Sequence, residues 1–77
     1  MSIHVRYFAS LKETLGKSDD FLALSETVTL AEIWTLANPN KVMPEKTLIA
    51  VNLEYAELDK VINAGDEVAF FPPVTGG

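Results

Sequence analysis

Residues 29–37, TLAEIWTLA, form the most strongly patterned segment of this 77-residue chain. Thr29 and Glu32 have the spacing of a capping box, in which each side chain satisfies a backbone amide at the start of a helix. Apolar residues follow at the spacing of one helix face, namely Leu30, Ile33, Trp34 and Ala37. Pro39 disfavours helical geometry at Asn38. The pattern therefore predicts a helix that ends near Asn38 and packs its apolar face on a sheet.

Segments typical of strands flank this helix on both sides. Before it, residues 2–8 alternate between two faces, and residues 20–24 form a second apolar run. Between them, Ser10 and Glu13 have capping-box spacing and Gly16 is a typical helix end, which predicts a short helix. Three segments after the main helix have strand composition, at residues 48–53, 55–58 and 67–71, and a turn is expected at Asn52 to Glu54 between the first two.

The order of these elements predicts the topology. Because the main helix separates the N-terminal strand pair from the later strands, the first and last strands can lie side by side and parallel in a mixed sheet. This order indicates an α+β fold of the ubiquitin-like β-grasp type. We expect a mixed sheet of about five strands, one main helix packed on it and a short helix after the first strand. The domain is predicted to cover residues 1–71, followed by a flexible functional tail at residues 72–77.

Composition restricts the chemistry available to the chain by itself. A single domain of this length buries one thin core and does not easily enclose a ligand pocket as well. The sequence contains no cysteine, which excludes disulfides, thiolate metal sites and a cysteine nucleophile. No Ser–His–Asp arrangement is indicated, and His4, the only histidine, is expected to be a solvated residue. We therefore expect no metal site.

Charge and hydropathy argue against two classes of partner. The net charge of −5 is acidic, whereas nucleic-acid binding requires clustered positive charge. No segment has the pattern of a signal peptide or the length and apolar character of a membrane span. We therefore expect a cytoplasmic protein that binds neither nucleic acid nor membrane.

The last predicted strand is followed by the segment PPVTGG, residues 72–77. Its prolines lack the amides needed to continue a strand and favour an extended geometry. The two glycines have no side chains and form a thin tip that is able to enter a narrow pocket. The residues predicted to insert into a partner are Pro72, Pro73, Val74, Thr75 and Gly76. The carboxylate of Gly77 then lies at the tip, where it is able to reach the bottom of such a pocket.

The C-terminal region resembles a known family. Residues 65–77, GDEVAFFPPVTGG, look like the C-terminal signature of the MoaD family, the small, sulfur-carrying subunits of molybdopterin synthase. Residues 5–16 are similar to the first strand and short helix of that family, and residues 50–52 match its central strand. From about Asp20 to Lys46 the chain matches only in pattern. The related thiamine-pathway carriers typically lack the Phe-Pro-Pro stretch.

The resemblance implies a carrier that is not catalytic alone. In that family an activating enzyme, an adenylyltransferase related to ubiquitin-activating enzymes, uses ATP and Mg²⁺ to adenylate the terminal carboxylate, here that of Gly77. A persulfide sulfur donor then converts it to a thiocarboxylate. The tail enters the large subunit of molybdopterin synthase and donates sulfur to cyclic pyranopterin monophosphate. The resemblance implies a heterotetramer of two small and two large subunits, with no cofactor bound by this chain.

Strand alternation also predicts a docking surface for this partner. If the inward residues of the first and last strands face the helix, Phe8 and Phe71 face away from it. With those strands adjacent, the two rings form an exposed patch that Tyr55 on a neighbouring strand completes. For Phe8 the alternative is that its ring folds back into the core. The three positions match the docking surface of the resembled family, although Tyr55 replaces what is commonly an aliphatic residue.

Two other functional classes share the same sequence features. A ubiquitin-like modifier, joined through Gly77 to protein lysines, requires the same activation up to the adenylate. A sulfur carrier of another pathway, such as thiamine synthesis, requires the same thiocarboxylate. A binding module in which the tail has no function is the third possibility.

Overall fold

Residues 2–73 are described by a computed structural model. Along the chain the elements are β1 (Ser2–Tyr7), α1 (Ala9–Leu15), β2 (Asp19–Ala23), β3 (Val28–Thr29), α2 (Leu30–Ala37), β4 (Leu48–Val51), β5 (Glu54–Tyr55), β6 (Val61–Ile62) and β7 (Glu67–Phe71). Five strands form one sheet in the order β2-β1-β7-β4-β5, while β3 and β6 form a separate antiparallel pair. The predicted α+β, β-grasp fold is confirmed.

The centre of the sheet is the parallel pair of β1 and β7. The strands on either side are antiparallel to it, β2 against β1 and β4 against β7. The N-terminal and C-terminal strands are therefore neighbours, as the order of elements predicts. The β3–β6 pair was not predicted, because strands of two residues are too short to show an alternating pattern.

Helix α2 begins with the predicted capping box. The hydroxyl oxygen of Thr29 accepts a hydrogen bond from the amide of Glu32 at 3.3 Å, and the Thr29 amide donates to the Glu32 carboxylate at 3.1 Å. The prediction for α1 was only partly right. Gly16 ends that helix in a left-handed conformation, but the helix starts at Ala9, so Ser10 lies inside it and does not cap it. Ala9 has φ of 51°, and the N-cap is Phe8, two residues before the position that the capping pattern indicated.

The core lies between α2 and one face of the sheet. Its largest side chains are aromatic: the ring of Phe70 is 5.1 Å from that of Trp34 in an edge-on contact and 6.0 Å from that of Tyr7 in a stacked one. The inward residues of the central pair are all buried, namely Ile3, Val5, Tyr7, Val68 and Phe70. Since strand residues alternate, the next residues along both strands lie on the opposite face.

One polar network closes the edge of this core. The buried hydroxyl of Tyr7 donates a hydrogen bond to Asp20 at 2.9 Å and accepts one from the side-chain amide of Asn38 at 3.1 Å. The ammonium of Lys17 lies 2.7 Å from Asp20 and donates to the carbonyl of Ala37 at 2.8 Å. Burial, and then the hydrogen bond to Asp20, raise the pKa of Tyr7. The network joins β1, β2 and the end of α2.

Replacing Tyr7 with Phe is expected to lower the free energy of unfolding by about 1–3 kcal/mol, because the buried side-chain amide of Asn38 loses its acceptor and Asp20 keeps only Lys17 as a partner. Urea denaturation at neutral pH measures this difference. The matched control is Tyr55→Phe, since Tyr55 is 73% exposed, and it should change the free energy of unfolding by less than about 0.5 kcal/mol. Equal stability of Tyr7→Phe and the wild type would contradict the role of the network.

The difference in unfolding free energy between the wild type and Tyr7→Phe is expected to depend on pH. The pKa of Tyr7 is raised above its ordinary value of 10.0, so unfolding favours loss of the proton in alkaline solution. The stabilisation that the Tyr7 hydroxyl contributes to the folded state is complete at pH values below its ordinary pKa, and it declines as the pH rises above that pKa. The stability difference between the wild type and Tyr7→Phe should therefore shrink in that range.

Candidate functional site

The candidate site is a shallow cavity on the face of the sheet opposite α2. Its volume is about 330 Å³. We call it the aromatic cavity. Its lining includes Phe8, Leu53, Tyr55 and Phe71 together with the paired residues Ala50 and Ala69. Arg6 and Glu67 also line it. Because small side chains occupy the central strands and large ones surround them, the surface is concave.

The structure places the three aromatic residues predicted for docking on this face. The ring of Phe8 is 40% exposed and that of Tyr55 is 73% exposed, while Phe71 is half-buried. The rings of Tyr55 and Phe71 lie 6.0 Å apart. Phe8 does not fold back into the core. That these residues bind a partner stays a prediction.

The register of the strands explains why these rings meet. The amide of Phe8 donates to the carbonyl of Phe70 at 3.2 Å, which extends the β1–β7 ladder to the point where Phe71 projects from the other face. On the far side of β7, strand β4 pairs with it and Tyr55 lies opposite Ala50. The end of the central strand is therefore surrounded by apolar side chains.

Leu53 belongs to the cavity, and the sequence placed it both at the end of a strand and within the turn expected at Asn52 to Glu54. In the structure β4 ends at Val51, and Asn52 and Leu53 form a two-residue turn with φ of 50° and 72°. Asn52 holds this turn to β7, because its side-chain oxygen accepts from the amide of Glu67 at 3.0 Å. Leu53 is 93% exposed in a conformation that favours glycine. The one signal for the turn was Asn52, a residue that tolerates left-handed geometry.

The predicted insertion segment is described only in part. Strand β7 ends at Phe71, and Pro72 and Pro73 follow it outside any strand, both half-buried. Val74, Thr75, Gly76 and the predicted reactive residue Gly77 lie outside the described residues. The start of the segment thus adjoins the aromatic cavity.

His4 is less solvated than the sequence indicated. Its imidazole stacks on the ring of Phe21 with centroids 4.3 Å apart, and its two nitrogens lie 3.0 Å from Asp19 and 3.4 Å from Glu67. It therefore links β2, β1 and β7 on the outward face. Within residues 2–73, no group of three or more His, Asp or Glu side chains is arranged to hold a metal ion. In the same range, no helix is long and apolar enough to cross a membrane.

Replacing Leu53 with Gly is expected to raise the free energy of unfolding by about 0.5–1 kcal/mol, because it relieves a left-handed leucine that buries little surface. Leu58→Gly is the control, since Leu58 is not among the residues with positive φ and glycine there only loosens the chain. Urea denaturation of both variants measures the effect. A Leu53→Gly protein less stable than the wild type would contradict the strain argued here.

Known proteins are similar to this chain in both sequence and fold. The family model of the ThiS family matches residues 5–77. The molybdopterin synthase sulfur carrier subunit of Haemophilus influenzae is 34% identical, over 97% of this chain and 99% of that protein. The structure of small archaeal modifier protein 1 from Haloferax volcanii has a TM-score of 0.80 at 27% identity, with 100% of both chains covered.

A further solved structure contains two different subunits. It is the protein–protein complex of subunits 1 and 2 of the molybdopterin-converting factor from Helicobacter pylori, in which the similar chain has a TM-score of 0.70 and 25% identity, with 100% of both chains covered. These matches confirm the resemblance seen in the C-terminal signature. The chain belongs to the ThiS/MoaD family of ubiquitin-like proteins.

Proposed function

We propose that this chain is the sulfur carrier subunit of a molybdopterin synthase. The carboxylate of Gly77 is adenylated, converted to a thiocarboxylate and carried into the active site of the large subunit. There its sulfur is transferred to cyclic pyranopterin monophosphate. The sulfur carrier subunit of Haemophilus influenzae, similar over nearly the whole chain, supports this proposal.

The observation that carries the proposal is the position of the last strand. β7 lies in the middle of the sheet and ends beside the aromatic cavity. The six residues after Phe71 span at most about 20 Å when fully extended. A partner that covers the cavity therefore has the base of the tail at its surface, and its own reaction pocket need lie no farther away than that.

The chemistry requires activation because a carboxylate is a poor electrophile. Transfer of AMP from ATP, with Mg²⁺, forms a mixed anhydride at Gly77 and releases pyrophosphate. The outer sulfur of a persulfide then attacks the acyl carbon and AMP leaves. Reduction of the remaining sulfur–sulfur bond by a thiol releases the thiocarboxylate. The acid–base groups for these steps belong to the partner enzymes, and this chain binds no cofactor of its own.

Three partners are included in the proposal. The large subunit docks on the aromatic cavity and forms a heterotetramer of two small and two large subunits. The complex of subunits 1 and 2 from Helicobacter pylori supports an assembly of this kind. An adenylyltransferase related to ubiquitin-activating enzymes and a persulfide donor act before it. Since activation consumes ATP, the proposed compartment is the cytoplasm.

Replacing Phe71 with Ala is expected to weaken binding to the large subunit by roughly tenfold or more, because an aromatic anchor at the centre of an interface is lost. Titration calorimetry with the large subunit encoded in the same genome measures the affinity. Phe21→Ala is the control, because Phe21 is 70% exposed on the edge strand β2 and does not line the cavity. If both variants weaken binding to the large subunit equally, or if neither weakens it, the aromatic cavity is rejected as the docking surface.

Incubation with the activating enzyme, ATP, Mg²⁺ and a persulfide donor should replace one oxygen of the chain by sulfur. Intact-mass analysis detects this change. Deleting Gly77, or adding one residue after it, should abolish the replacement, because the carboxylate is shifted by about 3.5 Å from the attacking group. Both variants should unfold at the same urea concentration as the wild type. Full sulfur transfer by either of them would contradict the role of Gly77.

The second candidate function is protein modification. The similarity to small archaeal modifier protein 1 favours it, since that chain has a TM-score of 0.80 to this one. In that case the activated chain forms isopeptide bonds between Gly77 and protein lysines, and a ladder of conjugates is seen on gels without any added large subunit. A sulfur carrier for thiamine synthesis is distinguished from the proposed function by the molecule that accepts its sulfur. Only the proposed function predicts molybdopterin from the thiocarboxylated chain, the large subunit and cyclic pyranopterin monophosphate.

A further inference from the structure

Arg6, the only arginine of the chain, lies exposed on the outward face of β1. Its guanidinium carbon is 5.1 Å from the centroid of the Phe8 ring, and it lines the aromatic cavity. The planar group is thus held against one wall of the cavity by a cation–π contact. Among residues 2–73 no carboxylate forms an ion pair with it.

The two carboxylates that flank Arg6 have another partner. Asp19 lies opposite Arg6 in the β1–β2 register, and Glu67 lines the same cavity. Both contact His4, with nitrogen–oxygen distances of 3.0 Å and 3.4 Å. The hydrogen-bonding edge of the guanidinium is therefore available to a ligand from outside the chain.

Covering the cavity removes water from the Arg6 guanidinium, which has no ion-pair partner within residues 2–73. A guanidinium that loses its hydration without gaining an acceptor destabilises the complex, so a partner that seals the surface must supply one. A carboxylate matches the two parallel N–H groups of arginine, and arginine beside aromatic residues is a frequent centre of binding energy. Apart from Arg6 and Glu67 the lining of the cavity is apolar or aromatic, and it accepts an aliphatic or aromatic side chain.

We propose that Arg6 is a recognition residue for an aspartate or glutamate side chain of the large subunit, which binds at the edge of the aromatic cavity beside Phe8. This inference rests on the proposed function, because it names the chemistry of the partner at the same surface. The partner then presents a carboxylate next to an apolar side chain. The carboxylate selects the correct partner, while the apolar contacts supply area.

The test is binding of the full-length chain to the large subunit, measured by titration calorimetry. Arg6→Gln is expected to weaken binding by roughly 10- to 100-fold, and Arg6→Lys, which keeps the charge but not the two-pronged geometry, by an intermediate factor. Lys41→Gln is the matched control for net charge, because Lys41 is exposed, accepts a hydrogen bond from Trp34 of α2 at its backbone carbonyl and does not line the cavity. It should bind within about twofold of the wild type. Added salt should narrow the difference between the wild type and Arg6→Gln.

A second variant separates this inference from an acceptor within the chain. If Glu67 turned to Arg6 on binding, Glu67→Gln would weaken binding as much as Arg6→Gln, and the double variant would be no weaker than either. That result would overturn the inference. We expect instead that Glu67→Gln binds at least as tightly as the wild type, because it removes a negative charge near the incoming carboxylate.

The outcome for Arg6 is distinguishable from that for the proposed function. Wild-type affinity of Arg6→Gln, with binding lost in Phe71→Ala, would overturn the role of Arg6 and leave the docking surface in place. Failure of the wild-type chain to bind the large subunit at all would overturn the proposed function. Circular dichroism and urea denaturation should show that Arg6→Gln folds like the wild type, as expected for an exposed side chain.

Discussion

The parallel pairing of β1 with β7 is the constraint on which the rest of the structure depends. It aligns Val5 with Val68 and Tyr7 with Phe70, so that both strands bury the same side against α2. Because side chains alternate along a strand, the same pairing directs Phe8 and Phe71 to the opposite side. One register therefore determines both the core and the surface proposed to bind a partner. It also places the last strand, and the base of the tail, in the middle of the sheet.

The two faces of the sheet have different interactions. On the helix side, aromatic packing around Phe70 fills the space, and hydrogen bonds satisfy the Tyr7 hydroxyl and the side-chain N–H of Asn38. On the outward side, small residues at the centre leave a shallow cavity between exposed rings. The packing on the helix side holds the strands in place, so that a partner is able to bind on the outward side without disturbing the core. The strained turn at Leu53 lies on the outward side.

Much of the fold could be predicted because its signals are local and repeated. The capping box at Thr29 and the alternation of β1 and β7 each depend on neighbouring residues in the chain, and both are present in the structure. The failures have a different origin. Ser10 has capping spacing but lies within α1, because the exit from β1 at Ala9 decides where that helix starts. The strand assigned through Leu53 was two residues too long and ends at Val51, because the pairing of β4 with β5 requires the turn expected from Asn52 to begin there.

The sequence by itself determined the order of elements, the inward and outward residues of the central strands and the family signature at the C-terminus, since these are properties of spacing and residue type. Only the tertiary structure decided that Leu53 lines the aromatic cavity and that no carboxylate within residues 2–73 forms an ion pair with Arg6. It also decided that His4 contacts both nearby carboxylates. These contacts join β1 to β2 and β7, and the cavity adds the turn between β4 and β5. No local pattern encodes which side chains meet across a sheet, because their distances depend on register, twist and turn geometry together.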